Sequence, residues 1–203
     1  MAPDVLPDPI GVAVSLASVL EQLGIPYLIG GSLASSVHGE PRSTNDIDVV
    51  ADLREEHVAR FLDALGDAYY VNEEAVRHAL RAAQLRTTGD SFNVIHRSGA
   101  IKVDVFIAGT DPFEAERLRL RQRVQVSSKP DTYLFIDTAE HSLLRKLEWY
   151  RRGGEVSDRQ WRDVLAIARV QGGRLDHTRL VVWADRLGVA DLLARALVDA
   201  KPV

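Results

Sequence analysis

The stretch from Tyr27 to Val50 constrains this chain more than any other. It holds a Gly30-Gly31-Ser32 turn, then thirteen residues (33 to 45), then Asp46-Ile47-Asp48 leading into an apolar run. Alternate residues of a strand point to the same face, so a strand from Asp46 to Val50 projects Asp46 and Asp48 side by side. Two carboxylates this close repel, and a divalent cation is the usual remedy. The glycine turn lies between an apolar run, Tyr27 to Ile29, and a helix-compatible run, Leu33 to Val37. A turn of that kind presents backbone N–H groups to a phosphate. Together the two features describe a site for a metal-bound nucleoside triphosphate. A third carboxylate, Asp104, sits among strong apolar neighbours in the run from Ile101 to Ile107, where a bare aspartate is poorly tolerated without a reason.

Composition sets the outer limits. The chain has 203 residues, 46% of them apolar, which suits one domain or one domain with an appendage. No apolar run approaches the roughly 18 residues of a spanning helix, so no membrane association is expected. Residues 1–5 show no basic region followed by an apolar core, so no signal peptide is expected. The absence of cysteine excludes disulfides and zinc–thiolate sites, and fits a cytoplasmic protein. A net charge of −4 argues against a broadly basic nucleic-acid binder. The six histidines, at 38, 57, 78, 96, 141 and 177, lack metal-ligand spacing and read as structural or surface residues.

Periodicity and capping signals divide the chain. A helix runs from Pro9 to Leu23 behind Asp8, and a buried strand spans Ile25 to Ile29. Ser32 is positioned to cap the following helix, and Asp52 to cap another from Arg54 to Leu65. Tyr69 to Val71 is a strand and Glu73 to Ala83 a helix. Ser91 to His96 and Ile101 to Ile107 form two strands around a turn, and Pro112 to Leu120 is helical. Short strands follow at Val124 to Val126 and Tyr133 to Ile136. From Thr138 onward everything reads as helix: Ala139 to Arg152, then a helix opened by the capping box Ser157 to Gln160 with Trp161, Val164, Leu165 and Ala168 as its apolar face. Asp176 caps a further helix, and Asp191 to Ala200 is the last. The expectation is an α/β (α+β) fold: residues 1–137 form a mixed sheet flanked by helices and carry the catalytic groups, and residues 138–203 form an all-helical appendage.

The glycine turn, the spacer and the Asp-x-Asp pair resemble the signature of the nucleotidyltransferase superfamily that includes DNA polymerase beta. The resemblance implies that Asp46, Asp48 and Asp104 hold two Mg²⁺ or Mn²⁺ ions. It also implies that Gly30, Gly31 and Ser32 receive the β- and γ-phosphates of a nucleoside triphosphate such as ATP. Two readings stand for Arg42, as a phosphate ligand or as a counter-charge to Asp46. Two stand likewise for Lys102, as a phosphate contact or as the partner of a site carboxylate. Arg117, Arg119, Arg121 and Arg123 are either a solvated basic stretch or an RNA-backbone contact.

The second half sharpens the resemblance. The segments from Ala139 to Tyr150, Ser157 to Asp163, Leu175 to Asp176 and Val182 to Gly188 are similar to those of AbiEii-like nucleotidyltransferases, the toxin halves of bacterial toxin–antitoxin systems and their relatives. In that subgroup a lysine and a later aspartate complete the site, and the matching residues are Lys146 and Asp163. The resemblance implies Lys146 on the triphosphate and Asp163 as the base for the attacking hydroxyl. A structural reading, with Lys146 on a helix surface and Asp163 paired with Arg159, stands beside it. The implied reaction moves a nucleoside monophosphate to an acceptor hydroxyl and releases pyrophosphate. RNA, such as a tRNA end, is the expected acceptor and a cognate antitoxin the expected partner. The alternatives are a small antibiotic-type molecule or a protein side chain as acceptor, or a nucleotide-binding regulatory module without turnover.

Overall fold

A computed structural model of the chain describes residues 8–85, 90–126 and 132–200. Residues 1–7, on which the signal-peptide expectation rests, and 201–203 lie outside the described residues. The chain divides into two compact units. One comprises Met1–Ile29 and Thr44–Ile136, the other Gly30–Ser43 and Asp137–Val203. The segment 30–43 thus belongs with the helices of the C-terminal part.

The first unit contains helices α1 (Pro9–Gln22), α3 (Val58–Leu65), α4 (Glu73–Leu85) and α5 (Pro112–Leu120). Its strands are β1 (Tyr27–Ile29), β2 (Ile47–Ala51), β3 (Tyr69–Val71), β4 (Ser91–His96), β5 (Ile101–Ile107), β6 (Gln122–Gln125) and β7 (Tyr133–Ile136). Together they form one sheet ordered β3-β4-β5-β2-β1-β7-β6. It is mixed: β2 runs parallel to β5 and β1 to β7, while the other pairs are antiparallel. The strands read as alternation predicts. Val103, Val105 and Ile107 are buried, while Lys102 and Asp104 face the other way. Phe92 lies opposite Val105 and meets Phe61 of α3 edge to face at 6.2 Å, so α3 covers the face that Asp104 does not share. Beyond Asp48 and Asp104, Val50 and Phe106 pack with Leu28, Ala108 and Leu118 of α5. That apolar cluster anchors the strands whose earlier residues carry the carboxylates.

Local caps explain most element ends. The Asp8 carboxylate accepts from Gly11 N at 2.7 Å, and Asp111 accepts from Phe113 N at 2.7 Å, each just ahead of a proline at the first turn. Two expected caps fail. Ser32 makes no capping bond; the helix begins two residues earlier than expected, with Gly30 at the cap position. Asp52 does not cap either. It accepts from the Arg54 guanidinium at 2.9 Å, and a 3-10 turn, Glu55–His57, precedes α3. The strand expected at Val124 to Val126 lies two residues earlier at its start, drawn into register with β7 through Gln122↔Ile136.

The second unit holds α2 (Gly31–His38), α6 (Ala139–Arg152), α7 (Asp158–Gln171), α8 (His177–Arg186) and α9 (Ala190–Asp199). Helix α2 packs on α6 and α7, and α7 on α6 and α9. Gly39 makes the approach of α2 to α7 possible. A Cβ there would stand 3.0 Å from Ile167 N and 3.1 Å from the Ala166 carbonyl carbon. The buried His38 ring bonds the Asp137 carbonyl oxygen at 2.6 Å through Nε2, and Gln171 Nε2 donates to the His38 carbonyl at 2.6 Å. The Ser157 cap is as expected, accepting from Gln160 N at 3.3 Å. The core face of α7 is rotated from the expected one. Ile167 and Asp163 are buried with Val164 and Ala168, whereas Trp161 and Leu165 are half-buried. Trp161 instead stacks on Tyr150 and under the Arg195 guanidinium. Among the described residues no helix is long and apolar enough to cross a membrane.

Candidate functional site

The chemistry-bearing side chains form one cluster in each unit. In the first unit, parallel pairing places Asp48 of β2 directly beside Asp104 of β5. Antiparallel pairing places Asn93 of β4 on the other side of Asp104. Neighbouring strands lie about 4.8 Å apart, so these three side chains form a row across one sheet face. Asn93 Nδ2 donates to Asp104 Oδ1. Asp46 precedes β2 by one residue and is exposed; its N–H donates to Thr44 Oγ1 at 3.2 Å. Two residues before Asp104, Lys102 places its ammonium 2.9 Å from Asp104 Oδ2. The Lys102 pKa is raised. The Asp104 hydrogen bond is the largest cause and overrides a small desolvation penalty, and the charges of Asp104, Asp46 and Asp48 add to it. One ammonium therefore feels all three carboxylates that the sequence singled out. Of the two readings for Lys102, the carboxylate pairing is the one observed.

This cluster has the donor chemistry for a hard divalent cation: three carboxylates, and a positive charge already held among them. Among the described residues no three His, Cys, Asp or Glu side chains are already gathered as metal ligands would be. Lys102 and Asn93 occupy Asp104 instead, so ion entry requires these two to yield.

In the second unit the chain enters α2 through Gly31 at φ +55°, a left-handed conformation that a side chain would strain. The first helical bond runs from Ala34 N to Gly30 O at 3.2 Å. The amides of Gly31, Ser32 and Leu33 lie ahead of that ladder at the positive end of the helix. The buried Ser32 hydroxyl accepts from Arg42 Nη2 and, at 3.5 Å, from Arg159 Nη2. Arg42 reaches Asp163 through both edges of its fork, Nε to Oδ1 and Nη2 to Oδ2, each at 3.1 Å. Lys146, itself 7% exposed, donates to Asp163 Oδ2 at 2.8 Å. Burial alone pushes the Asp163 carboxyl up. The hydrogen bonds and charges of Arg42 and Lys146 outweigh it and leave the pKa below its ordinary 3.8.

The structure thus brings Gly30, Gly31, Ser32, Arg42, Lys146 and Asp163 into one unit, and Asp46, Asp48 and Asp104 into the other. One residue escaped the sequence reading: Asn93 carried a usable signal, its place on the strand next to Asp104. Arg159 was read only as a partner for Asp163, and nothing local signals that it meets a serine 127 positions away. The Arg117 to Arg123 stretch does not stay together as a basic track. Arg117 is 2% exposed and bonds Glu114 at 2.6 Å. Arg121 lies over Phe135 at 4.6 Å, and Arg123 over Tyr133 at 3.9 Å.

No protein-family model matches the sequence, and no curated protein does. Solved structures do match. The antibiotic-resistance factor ANT(2'')-Ia in solution aligns with 92% of this chain and 96% of its own, at 12% identity and a TM-score of 0.56. An antigenic nucleotidyltransferase-like protein from Paracoccidioides brasiliensis aligns over 96% and 93%, at 18% identity and 0.53. A crystal structure of ANT(2'')-Ia with adenylyl-2''-tobramycin aligns over 87% and 97%, at 12% identity and 0.53. The chain has the nucleotidyltransferase fold. At these identities the likeness covers the fold alone.

Proposed function

We propose that the chain is a metal-dependent nucleotidyltransferase that moves a nucleoside monophosphate from a triphosphate to an acceptor hydroxyl and releases pyrophosphate. The observation that carries the reading is the row Asp48–Asp104 with Asp46 nearby, three carboxylates whose charge one ammonium shares, on a fold common to nucleotidyltransferases. Asp46, Asp48 and Asp104 are the residues that would hold Mg²⁺ or Mn²⁺. Such ions, when bound, stabilise the leaving pyrophosphate and lower the pKa of the attacking hydroxyl. Asn93 and Lys102 hold Asp104 until an ion takes their place. In the other unit, Ser32, Arg42 and Lys146, with the amides at Gly30 and Gly31, are the groups that would take phosphate. Positioning and charge stabilisation are the main protein contributions to phosphoryl-group chemistry of this kind.

For the acceptor, the resemblance to AbiEii-like toxins favours RNA, and with it a cognate antitoxin as partner. One observation favours a small hydroxyl-bearing acceptor instead. Burial of Arg117 and packing of Arg121 on Phe135 remove two of the four arginines that an RNA backbone would meet. ANT(2'')-Ia, solved with adenylyl-2''-tobramycin, offers a small-molecule precedent on this fold. The test uses each of the four α-labelled triphosphates with Mg²⁺ or Mn²⁺, against total RNA and against an aminoglycoside panel. Label on either acceptor class supports the reading and selects the acceptor. Triphosphate binding with no label on RNA, small molecules or protein sinks it and leaves a nucleotide-binding module.

A further inference from the structure

The Asp163 carboxylate is poorly placed to take a proton. It already accepts three N–H bonds from two cations, and Oδ2 alone receives both Arg42 Nη2 and Lys146 Nζ. A carboxylate bonded in this way is a weak base. The same bonds do something else well. Arg42 sits in the irregular segment between α2 and β2, where its backbone meets the Ser36 hydroxyl by two long contacts of 3.4 Å. Arginine and lysine side chains are rich in rotamers, and ordering them opposes ligand binding. Asp163 does that ordering in advance. It fixes the Arg42 fork in plane, and the outer nitrogen of that fork then bonds the Ser32 hydroxyl beside the first turn of α2. Helix α7 is a rigid support, since Asp163 lies mid-helix among buried Val164, Ala166 and Ile167.

We propose that Asp163 is a positioning residue that holds Arg42 and Lys146 as a preformed clamp for the phosphate chain of the substrate. The inference rests on the phosphate reading of these residues given above. Its magnitude follows from the two side chains held: immobilising each in advance corresponds to roughly twofold to tenfold in affinity, or fivefold to a hundredfold together. A competing effect has the opposite sign. Asp163 is negative, and if it acted only as a charge, its removal would tighten anion binding.

The test measures binding of inorganic tripolyphosphate with Mg²⁺ by titration calorimetry to the full chain, which needs neither the base nor the acceptor to be known. Asp163→Glu keeps the charge and displaces it by one methylene. Asp163→Asn removes the charge and replaces one acceptor with a donor. Both variants should bind at least fivefold more weakly. Arg42→Gln should weaken binding comparably, and the Asp163→Glu/Arg42→Gln double variant should lose clearly less than the sum of the two single losses, because Asp163 acts in part through Arg42 and in part through Lys146. Unchanged affinity in Asp163→Glu, tighter binding in Asp163→Asn, or additive losses in the double variant would each overturn the positioning role while leaving the phosphate reading intact. Failure of the wild-type chain to bind tripolyphosphate would overturn both.

Discussion

Substituting Gly39 with alanine tests how the second unit brings its parts together. Gly39 follows α2, and the added methyl would meet Ile167 N at 3.0 Å and the Ala166 carbonyl carbon and Ser35 carbonyl oxygen at 3.1 Å. All three are backbone atoms, two of them in α7, so none can rotate aside. Overpacking of this kind costs about 1–3 kcal/mol. Against it stands the loss of unfolded-state freedom, which favours alanine by about 0.4–1 kcal/mol. At the middle of both ranges the clash wins, leaving a net destabilisation of about 1–2 kcal/mol, or roughly 2–8 °C in Tm for a chain of this size. Gly173→Ala is the matched control. It has nothing within 4 Å of its added methyl, so only the unfolded-state term remains and its Tm should hold or rise slightly. Calorimetric melts of the wild type and both variants decide the matter. Equal or higher stability of Gly39→Ala would refute the close approach of α2 to α7, and with it the support for the Arg42–Asp163 contact.

Two further outcomes follow from the clusters. Lys102→Met removes the ammonium that the three carboxylates share. Metal-free stability should fall by at most about 1 kcal/mol, as befits an exposed pair, while Mn²⁺ affinity measured by calorimetry should rise severalfold; unchanged or weaker Mn²⁺ binding would count against the carboxylates as its ligands. Acid should destabilise the second unit through Asp163 and Glu140. Burial pushes the Glu140 carboxyl up, but the Asp176 N–H at 2.9 Å, the Thr138 hydroxyl and the Arg179 charge pull it further down, below its ordinary 4.5. Folded-state values depressed in this way give stability that is complete above about pH 4.5. That stability is lost as pH falls through the depressed values. Urea melts between pH 5 and 2 should show the decline, and Glu140→Gln should reduce it; a flat profile would contradict the assignment.

The strands around the carboxylates were legible because their pattern is local. Ile101, Val103, Val105 and Ile107 alternate with Lys102, Asp104 and Phe106, which fixes both the strand and the face of Asp104. The helices behind Asp8, Ser157 and Asp176 were legible for the same reason, since a cap and its amide are three residues apart. What escaped is long-range. Nothing near Arg42 indicates that its partner is Asp163, 121 positions on. Ser32 reads as a cap by its type and place, yet a distant arginine takes its hydroxyl. The rotation of the α7 face is also long-range: Trp161 and Leu165 pattern with the core, but the buried side carries Asp163, Val164 and Ile167, and the Asp163 partners come from other elements.

Asp48 and Asp104 are proposed to act together in nucleotide transfer. Once a labelled acceptor is found, transfer rates of Asp48→Asn and Asp104→Asn should be compared with the wild type, with melts run in parallel. The account predicts that each variant keeps its fold and loses at least about a hundredfold in rate, the equivalent of about 3 kcal/mol of transition-state stabilisation. Folded variants that transfer label at wild-type rates would contradict it.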